Sequence, residues 1–205
     1  MNALPTIHVV DDDDSFREAL LRMLTIEGYA VRGYSSSGEF LLHPPAGPGC
    51  VLLDVQMPGP SGLDLQEALR THMIYLPVIF ISGHADVLIS VRAMKAGAVD
   101  FLQKPVERET LLGAISRALA NDMISRRARR YSHELHSRFG HLTSREWDVF
   151  IRVIEGKANK VIAHEIGLAE RTVKVYRAQM LVKLGVRSSA ELGALAEQLR
   201  NLPEQ

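Results

Sequence analysis

Five polar side chains in the first half of the chain stand at the end of, or directly after, short apolar runs. Asp11 and Asp12 follow the first run, Asp54 closes the third, Ser82 closes the fourth and Lys104 follows the fifth. If these runs are parallel strands, their carboxyl ends meet at one edge of a sheet. Carboxylates, a hydroxyl and an ammonium at such an edge could hold a divalent cation and a phosphoryl group.

The three carboxylates predict a site for Mg²⁺ or another divalent cation. Asp12 and Asp54 are the expected direct ligands, Asp11 is expected to act through a water, and the backbone carbonyl of Gln56 could add a further oxygen. Mg²⁺ binds oxygen ligands and keeps several waters. A bound cation would also relieve the repulsion among three closely placed acids.

Asp54 is the expected nucleophile, which would take up a phosphoryl group as an acyl phosphate. Lys104 would pair with one phosphoryl oxygen, and Ser82 would donate a hydrogen bond to another. Transfer of this kind depends mainly on positioning and charge stabilisation. The sequence contains no G-x-x-x-x-G-K-[ST] or G-x-G-x-x-G motif, so the phosphoryl donor is expected to be another molecule.

Strand-like and helix-like segments alternate through the first half of the chain. This alternation predicts a five-stranded parallel α/β sheet with helices on both faces. Ser15, with Glu18 three residues later, is a candidate cap for the first helix, and Asp13 or Asp14 is the alternative. The strand-like runs are at 7–10, 29–34, 51–55, 78–82 and 99–103, and the helix-like stretches are at about 15–27, 36–42, 62–71 and 86–96.

The net charge of zero hides two oppositely charged halves. Residues 1–122 carry 9 Lys and Arg against 15 Asp and Glu, whereas residues 123–205 carry 15 Lys and Arg against 9 Asp and Glu. This split predicts two domains with different partners. We expect an acidic domain at 1–122, a helical linker at 123–138 and a basic domain at 139–205 that could bind a polyanion.

Membrane insertion and secretion are both unexpected for this sequence. No apolar stretch reaches the roughly 20 residues that a membrane-spanning helix needs, and the N-terminus lacks the pattern of a signal peptide. The single cysteine, Cys50, excludes an internal disulfide and fits a reducing compartment. We therefore expect a cytoplasmic protein with no membrane partner.

Helical patterning continues from Glu107 into the second half of the chain. One helix of about 30 residues, with its later, arginine-rich part as a solvated linker, is the preferred interpretation. Two helices with a break near Asn121-Asp122 are the alternative.

Residues 141–200 are expected to be wholly helical. Thr143 and Glu146 have the spacing of a capping box at the start of one helix. A short helix from Asn159, a turn containing glycine and a longer helix at 170–184 have the spacing of a helix-turn-helix.

The helix at 170–184 is the expected recognition helix, because the second helix of a helix-turn-helix enters the major groove. Lys174 is the first candidate for contacting a base edge, and Arg177 could pair with guanine. Val175 and Ala178 could contact a thymine methyl group. A solvated face of an ordinary helical bundle is the alternative. Phosphate contacts are expected from Lys160, Arg171, Thr172 and Lys183.

The motifs around the acidic site resemble the receiver domain of two-component response regulators. They are Val10-Asp11-Asp12-Asp13, Leu53-Asp54-Val55-Gln56-Met57-Pro58, Ile81-Ser82-Gly83-His84 and Phe101-Leu102-Gln103-Lys104-Pro105, and residues 94–101 are especially similar to the FixJ subfamily. The resemblance implies a doubly wound, flavodoxin-like sheet with strand order 2-1-3-4-5. It also implies a sensor histidine kinase as the phosphoryl donor. Phe101 matches the family's signalling aromatic, which follows the strand-four hydroxyl, here Ser82, inward after phosphorylation.

Residues 139–203 resemble LuxR-type DNA-binding domains. The resemblance implies a four-helix, all-α domain that dimerises through its last helix, Ser188–Leu199, and binds inverted half-sites in double-stranded promoter DNA. Tyr176 stands at the position of the family's usual histidine. The matching segments are 142–146, 159–163, 171–177 and 183–186.

Together these features predict a response regulator that is phosphorylated on Asp54, regulates transcription and is not an enzyme. We expect it to form a homodimer when phosphorylated, with RNA polymerase as a further partner. Two rival functions stay open. One is an aspartate-nucleophile phosphatase, although Gln56 stands where such enzymes usually carry a second Asp. The other is a phosphorylated adaptor that does not bind DNA.

Overall fold

The computed structural model describes residues 4–83 and 86–201. The chain divides into two compact units, with the boundary between Arg126 and Arg127. No helix among the described residues is both long and apolar enough to cross a membrane.

The first unit contains a five-stranded sheet in which every neighbouring pair of strands is parallel. The strand order is β2-β1-β3-β4-β5, which confirms the predicted doubly wound α/β architecture. The strands are β1 (Thr6–Val10), β2 (Ala30–Tyr34), β3 (Gly49–Asp54), β4 (Val78–Ser82) and β5 (Asp100–Gln103). The helices that alternate with them are α1 (Asp14–Ile26), α2 (Ser37–Leu42), α3 (Gly62–Thr71), α4 (Val87–Lys95) and α5 (Arg108–Gly140).

Helices cover the sheet on both faces, so its central strands are buried along their whole length and mostly apolar. Every residue of β3 and β4 is buried. Val51 and Leu53 pack with α2, α3 and α4 on one face, whereas Cys50 and Leu52 pack with α1 and α5 on the other. Burial among apolar groups raises the pKa of the Cys50 thiol to about 12, so this residue is a packing residue in its thiol form.

The start of the first helix confirms the capping alternative at Asp13. Asp13, and not Ser15, is the N-cap of α1, and its side chain accepts a hydrogen bond from the backbone N–H of Phe16 at 3.1 Å. An Asp side chain is at least as good an N-cap as Ser. The acidic run lies between the end of β1 and the start of α1. Asp13 therefore precedes Ser15 at the start of the helix and caps it.

Helix α5 is a single element of 33 residues, which excludes the alternative with a break near Asn121-Asp122. Asp122 is buried and accepts hydrogen bonds from the backbone N–H of Gly49 at 3.0 Å and from Nε of Arg126 at 2.8 Å. Arg126 also donates to the carbonyl oxygens of Ala46 and Gly47. These bonds fasten this part of α5 to the chain that enters β3.

Four helices follow α5 in the second unit: α6 (Ser144–Ile154), α7 (Asn159–Ile166), α8 (Glu170–Leu184) and α9 (Ser189–Arg200). The later part of α5 packs with them, because Leu135 and Phe139 lie in the same buried cluster as Val149 and Met180. Within the linker expected at 123–138, Leu135 is therefore part of a buried core and not of a solvated face. Apolar side chains four residues apart share one face of a helix, so one face joins the core while Arg127 and Arg130 stay exposed.

A buried ion pair connects the start of α6 to the end of α8. Glu146 is 2% exposed, and its Oε2 accepts hydrogen bonds from the backbone N–H of Thr143 at 2.7 Å and from Nζ of Lys183 at 2.6 Å. The first bond and its reciprocal from the Glu146 N–H to Thr143 confirm the predicted capping box. Burial disfavours the carboxylate, but Lys183 and Thr143 outweigh it and lower the pKa of Glu146.

Asp122→Ala is expected to lower the free energy of unfolding of the first unit by about 1–3 kcal/mol, the range for a buried hydrogen-bonding group left without its partner. The amide of Gly49 should lose protection from hydrogen exchange, because Asp122 is its acceptor. Asp100→Asn is the control, since it breaks a more exposed pair with Arg117. Equal exchange at Gly49 in both variants would contradict the role given to Asp122.

Glu146→Gln is expected to lower the free energy of unfolding of the second unit by about 1–3 kcal/mol at neutral pH, because Lys183 loses a buried anionic partner. Since folding lowers the Glu146 pKa, its contribution is complete above the ordinary value of 4.5 and is lost as pH falls through the folded value. The variant should therefore show a smaller loss of stability on acidification than the unmodified chain.

The fluorescence of Trp147, the chain's one tryptophan, can follow urea unfolding of this unit because the residue lies on α6. Asp148→Asn is the control, since its contact with Arg145 is exposed and 3.7 Å long. Identical acid dependence in the Glu146→Gln and unmodified chains would be the contrary result.

Candidate functional site

Polar side chains from two strands and from the segments that follow two others lie at the carboxyl edge of the sheet. Asp54 is the last residue of β3 and Ser82 the last of β4, while Asp11 directly follows β1 and Lys104 directly follows β5. All the strands are parallel, so these ends lie at one edge. The backbone N–H of Lys104 donates to the Ser82 carbonyl at 2.8 Å, which holds the β5 end beside β4.

The Lys104 ammonium joins two buried carboxylates. Its Nζ is 2.7 Å from Oδ2 of Asp11 and 2.8 Å from Oδ1 of Asp54. The side chains of Asp11 and Asp54 are 3% and 7% exposed, whereas that of Lys104 is 21% exposed. The sequence prediction that residues distant along the chain converge here is met for these three side chains.

Phe16 also contacts Lys104, and the sequence did not indicate this contact. The Nζ of Lys104 lies over the ring of Phe16, 4.1 Å from the ring centroid, which is well within the range of a cation–π interaction. Phe16 also packs against the buried cluster beneath α1 and α5. The one available signal was its place in the first turn of the helix that follows the acidic run.

The electrostatic balance at Asp54 is set by opposing effects. Burial raises the pKa of the Asp54 carboxyl, and the charge of Asp11 adds to that rise. The ammonium of Lys104 and the backbone N–H of Gln56, which donates to Oδ2 at 2.6 Å, act in the opposite direction without cancelling it. Burial also disfavours the Lys104 ammonium, but hydrogen bonds to Asp11 and Asp54 outweigh it and raise the pKa of Lys104.

The proposed metal ligands are only partly gathered. Asp11 and Asp54 are buried together, whereas Asp12 is exposed. Oδ1 of Asp11 accepts a hydrogen bond from the N–H of Asp13 and its Oδ2 binds Lys104. Within residues 4–83 and 86–201, no group of three or more His, Cys, Asp or Glu side chains is arranged to hold a metal ion. The oxygen donors nevertheless have the chemistry that Mg²⁺ prefers.

Gly62 allows α3 to begin directly against the end of β3. A Cβ on this residue would lie 2.2 Å from the backbone oxygen of Asp54, so no larger residue fits without movement of the backbone. Ser61 and Asp64 form a capping box at the same helix start. The loop between β3 and α3 therefore lies close to the site.

Phe101, the predicted signalling aromatic, lies half-buried on β5, with its ring centroid 6.1 Å from that of Phe80. Together with Val87 and Met94 of α4 it lines a surface groove. His84, which belongs to the matched motif at the end of β4, lies outside the described residues.

The second unit has the geometry of a helix-turn-helix. Helices α7 and α8 are separated by a turn in which Gly167 has φ 67°, a left-handed conformation that favours glycine. On α8, Val173, Met180 and Leu184 are buried and Tyr176 packs against the core, as their spacing predicted. The predicted DNA-contacting residues that are exposed or half-buried, with side chains available to a ligand, are Lys160, Arg171, Thr172, Lys174, Val175 and Ala178.

Two of the candidate DNA-contacting residues are engaged with other helices of the unit, and Lys174 pairs with Glu170 one turn earlier on α8 at 3.3 Å. Lys183 pairs with Glu146 and donates to the carbonyl oxygen of His141 at 3.2 Å. Arg177 donates through Nη1 to Oδ1 of Asn159 at 2.9 Å and through Nη2 to the hydroxyl of Ser189. Both were selected as charged residues of the recognition helix, and spacing along one helix does not reveal partners on other helices.

Two family models match the chain. The response regulator receiver domain matches residues 7–116, and the luxR family of bacterial regulatory proteins matches residues 140–196. The first match lies in the unit that contains the acidic site, and the second covers the helix-turn-helix.

Similar proteins cover nearly the whole chain. Nodulation protein W of Bradyrhizobium diazoefficiens is 43% identical over 194 residues, covering 94% of this chain and 86% of that protein. The transcriptional regulatory protein FixJ of Azorhizobium caulinodans is 39% identical, covering 93% of this chain and 90% of that protein.

Two solved structures are also similar over nearly the whole chain. A low-resolution structure of the response regulator StyR has a TM-score of 0.90 and 45% identity, covering 96% of this chain and 100% of that one. Full-length FixJ from B. japonicum has a TM-score of 0.58 and 34% identity, covering 97% and 98%. A response regulator with a DNA-binding domain implies a sensor kinase and DNA as partners. The chain belongs to the two-component response regulators that join a receiver domain to a luxR family DNA-binding domain, and it is a phosphorylation-dependent regulator of transcription.

Proposed function

We propose that Asp54 is the phosphoacceptor of this regulator and that a sensor histidine kinase is the donor. A carboxylate oxygen of Asp54 attacks the phosphorus of a phosphohistidine, the P–N bond breaks, and the imidazole nitrogen leaves with the bonding pair and takes up a proton. The observation that carries the proposal is the Lys104 ammonium bridging Asp54 and Asp11 at the carboxyl edge of the sheet.

Lys104 and Ser82 stabilise the transferred group. The ammonium keeps Asp54 ionised and, after transfer, pairs with a phosphoryl oxygen. The Ser82 hydroxyl donates a hydrogen bond to another phosphoryl oxygen, and Phe101 follows this hydroxyl inward. Burial raises the pKa of Asp54 and so disfavours its ionised form, and the ammonium of Lys104 opposes this effect.

Mg²⁺ is the cofactor that suits the oxygen donors here. Asp11, Asp12, Asp54 and the backbone carbonyl of Gln56 would hold it, with Asp12 turning inward from its exposed position. When bound, the cation supplies positive charge that offsets the carboxylates and the phosphoryl oxygens.

Phosphorylation favours a homodimer of receiver domains through the α4 face. Val87 and Leu88 are 72% and 80% exposed, and Val91 and Met94 are each 45% exposed. An apolar face of this kind supports an interaction surface. Shifting a two-state equilibrium from 1:99 to 99:1 takes about 5.5 kcal/mol, which pairing of two subunits on neighbouring DNA half-sites helps to supply.

Helix α8 reads promoter DNA, with inverted half-sites bound by two copies paired through α9. Lys174, Val175 and Ala178 are the proposed base contacts, and Lys160, Arg171 and Thr172 the proposed phosphate contacts. Arg177 and Lys183 would have to exchange their internal partners for DNA.

The functional division of the chain follows from these roles. Residues 1–122 form the receiver and residues 139–205 the DNA-binding domain, and 123–138 is the helical segment that connects them. We further propose a cytoplasmic, non-enzymatic regulator that works beside RNA polymerase. A phosphatase is disfavoured by Gln56, and an adaptor without DNA binding is disfavoured by the luxR family match.

Asp54→Asn is expected to abolish labelling by a small phosphodonor with Mg²⁺, because an amide cannot form the acyl phosphate. Intact mass measures the label, and circular dichroism confirms the fold. Asp14→Asn, which removes an exposed carboxylate from the same acidic run, is the control and should label normally. Labelling of Asp54→Asn at the normal stoichiometry would refute the assignment. Steady turnover of a phosphoester would instead favour the phosphatase.

Lys174→Ala is expected to weaken binding to the specific promoter by about 1–3 kcal/mol while affecting random duplex less, the behaviour of a base-reading residue. Fluorescence anisotropy at several salt concentrations measures both affinities. Arg70→Ala removes an exposed charge from α3 of the first unit and is the matched control. An equal loss on both duplexes would make Lys174 a phosphate contact, and no binding of either duplex by the unmodified chain would favour the adaptor.

A further inference from the structure

We propose that Phe16 is a positioning residue for Lys104, and that its ring sets the rate at which Asp54 is phosphorylated. The inference rests on the proposed role of Asp54 as phosphoacceptor and adds a residue on α1 to that site.

The contacts of the Lys104 ammonium account for its whole donor capacity. A lysine ammonium has three N–H donors and no acceptor. Asp11 and Asp54 accept two of them, at 2.7 Å and 2.8 Å. The ring of Phe16 lies 4.1 Å from Nζ at its centroid, in the position of a third, uncharged partner.

The position of the Phe16 ring is fixed by the same turn that fixes Asp11. Oδ1 of Asp11 accepts a hydrogen bond from the N–H of Asp13 at 3.0 Å, and Oδ1 of Asp13 accepts one from the N–H of Phe16 at 3.1 Å. The Phe16 side chain also packs against the buried cluster beneath α1 and α5. One short segment therefore places both a carboxylate and an aromatic face against Lys104.

An aromatic partner suits a cation whose other partner changes during the reaction. Before transfer, Lys104 binds an oxygen of Asp54, whereas afterwards it binds a phosphoryl oxygen. A lysine side chain is flexible and carries a compact charge on a four-carbon stem. The electron-rich face of the ring attracts this charge without binding it to a further anion. Phe16 therefore restrains the ammonium near the acceptor while leaving it able to exchange one oxygen for another.

Substitutions that keep an apolar side chain of similar size distinguish the effect of the aromatic face from the effect of side-chain volume. Phe16→Leu keeps an apolar side chain and removes the ring, whereas Phe16→Tyr keeps the ring. Met23→Leu, on the same helix and against the same buried cluster, is the packing control. Phe16→Met provides a second ring-free variant should Phe16→Leu fail to fold.

The first measurement tests the contact without any phosphorylation. In the unmodified full-length protein, the ε-methylene protons of Lys104 should be shifted upfield by the ring current of Phe16. Lysine-selective isotope labelling and NMR detect the shift, and Lys104→Arg assigns it. Phe16→Leu should abolish the shift, and Phe16→Tyr and Met23→Leu should keep it. A signal at the ordinary lysine position in the unmodified chain would overturn the inference.

The second measurement is the rate of labelling by acetyl phosphate in the presence of Mg²⁺. Phe16→Leu should slow labelling by about threefold to tenfold, the range that loss of one cation–π contact in a partly exposed site can produce. Phe16→Tyr and Met23→Leu should stay within about twofold of the unmodified rate.

The results separate failure of this inference from failure of the proposed function. If the unmodified chain is labelled on Asp54 and Phe16→Leu is labelled equally fast, Phe16 does not position Lys104. If Phe16→Tyr slows as much as Phe16→Leu, the effect is one of packing and the inference also fails. If the unmodified chain is not labelled on Asp54, the proposed acceptor itself is wrong.

Discussion

The site depends on one constraint, which is that two carboxylates cannot be buried side by side without a cation between them. Asp11 and Asp54 stand at the ends of neighbouring strands and are almost completely buried, and Lys104 balances both. Burying a charge without a partner costs several kcal/mol, so removing the ammonium would leave an unstable edge. The strand order brings this cation to the carboxylates, because β5 lies beside β4 and places Lys104 on the opposite side of the site. A phosphoryl group added to Asp54 changes this same charge balance, which makes the site sensitive to modification.

Helix α4, the region that we propose responds to phosphorylation, has little buried surface. Of the nine residues of α4, all described, Ala93 alone is buried. Its backbone oxygen accepts a hydrogen bond from Nε2 of the buried Gln66 on α3, at 3.3 Å. A helix held by one small buried side chain, the partly buried Ile89 and one long hydrogen bond loses little free energy when it shifts. Strands β3 and β4, buried along their whole length, cannot move without breaking the core. This contrast supports the proposal that a change of charge at the sheet edge is relieved at α4 and Phe101, with the sheet left intact.

The sequence predicted the parts of this arrangement that depend on local spacing. Every strand was found within about two residues of its bounds, and α8 was bounded correctly at 170–184, because apolar runs, caps and glycines are local signals. The motifs also brought Asp11, Asp54 and Lys104 together. The misses involve contacts between elements. Leu135, within the linker expected at 123–138, lies in a buried core, and the ring of Phe16 was not connected with Lys104. Each of these depends on which residues of another element lie opposite, which no spacing along one segment contains.

Ion pairing and helix capping also affect where the second unit can bind an anion. Lys183 pairs with Glu146, and this ion pair holds the end of α8 against the start of α6. The charge of Lys183 therefore contributes more to the stability of the unit than to binding. Helices α6 and α9 are capped by Thr143 and Ser188, but α7 and α8 begin after Ala158 and Ala169, whose side chains have no acceptor. The first backbone N–H groups of these two helices therefore retain the capacity to bind an anion, which helix dipoles strengthen. Lys160, Arg171 and Thr172 lie in those first turns. The starts of the two helices of the helix-turn-helix therefore support the phosphate contacts that we propose, whereas the end of α8 is held by the pair of Lys183 with Glu146.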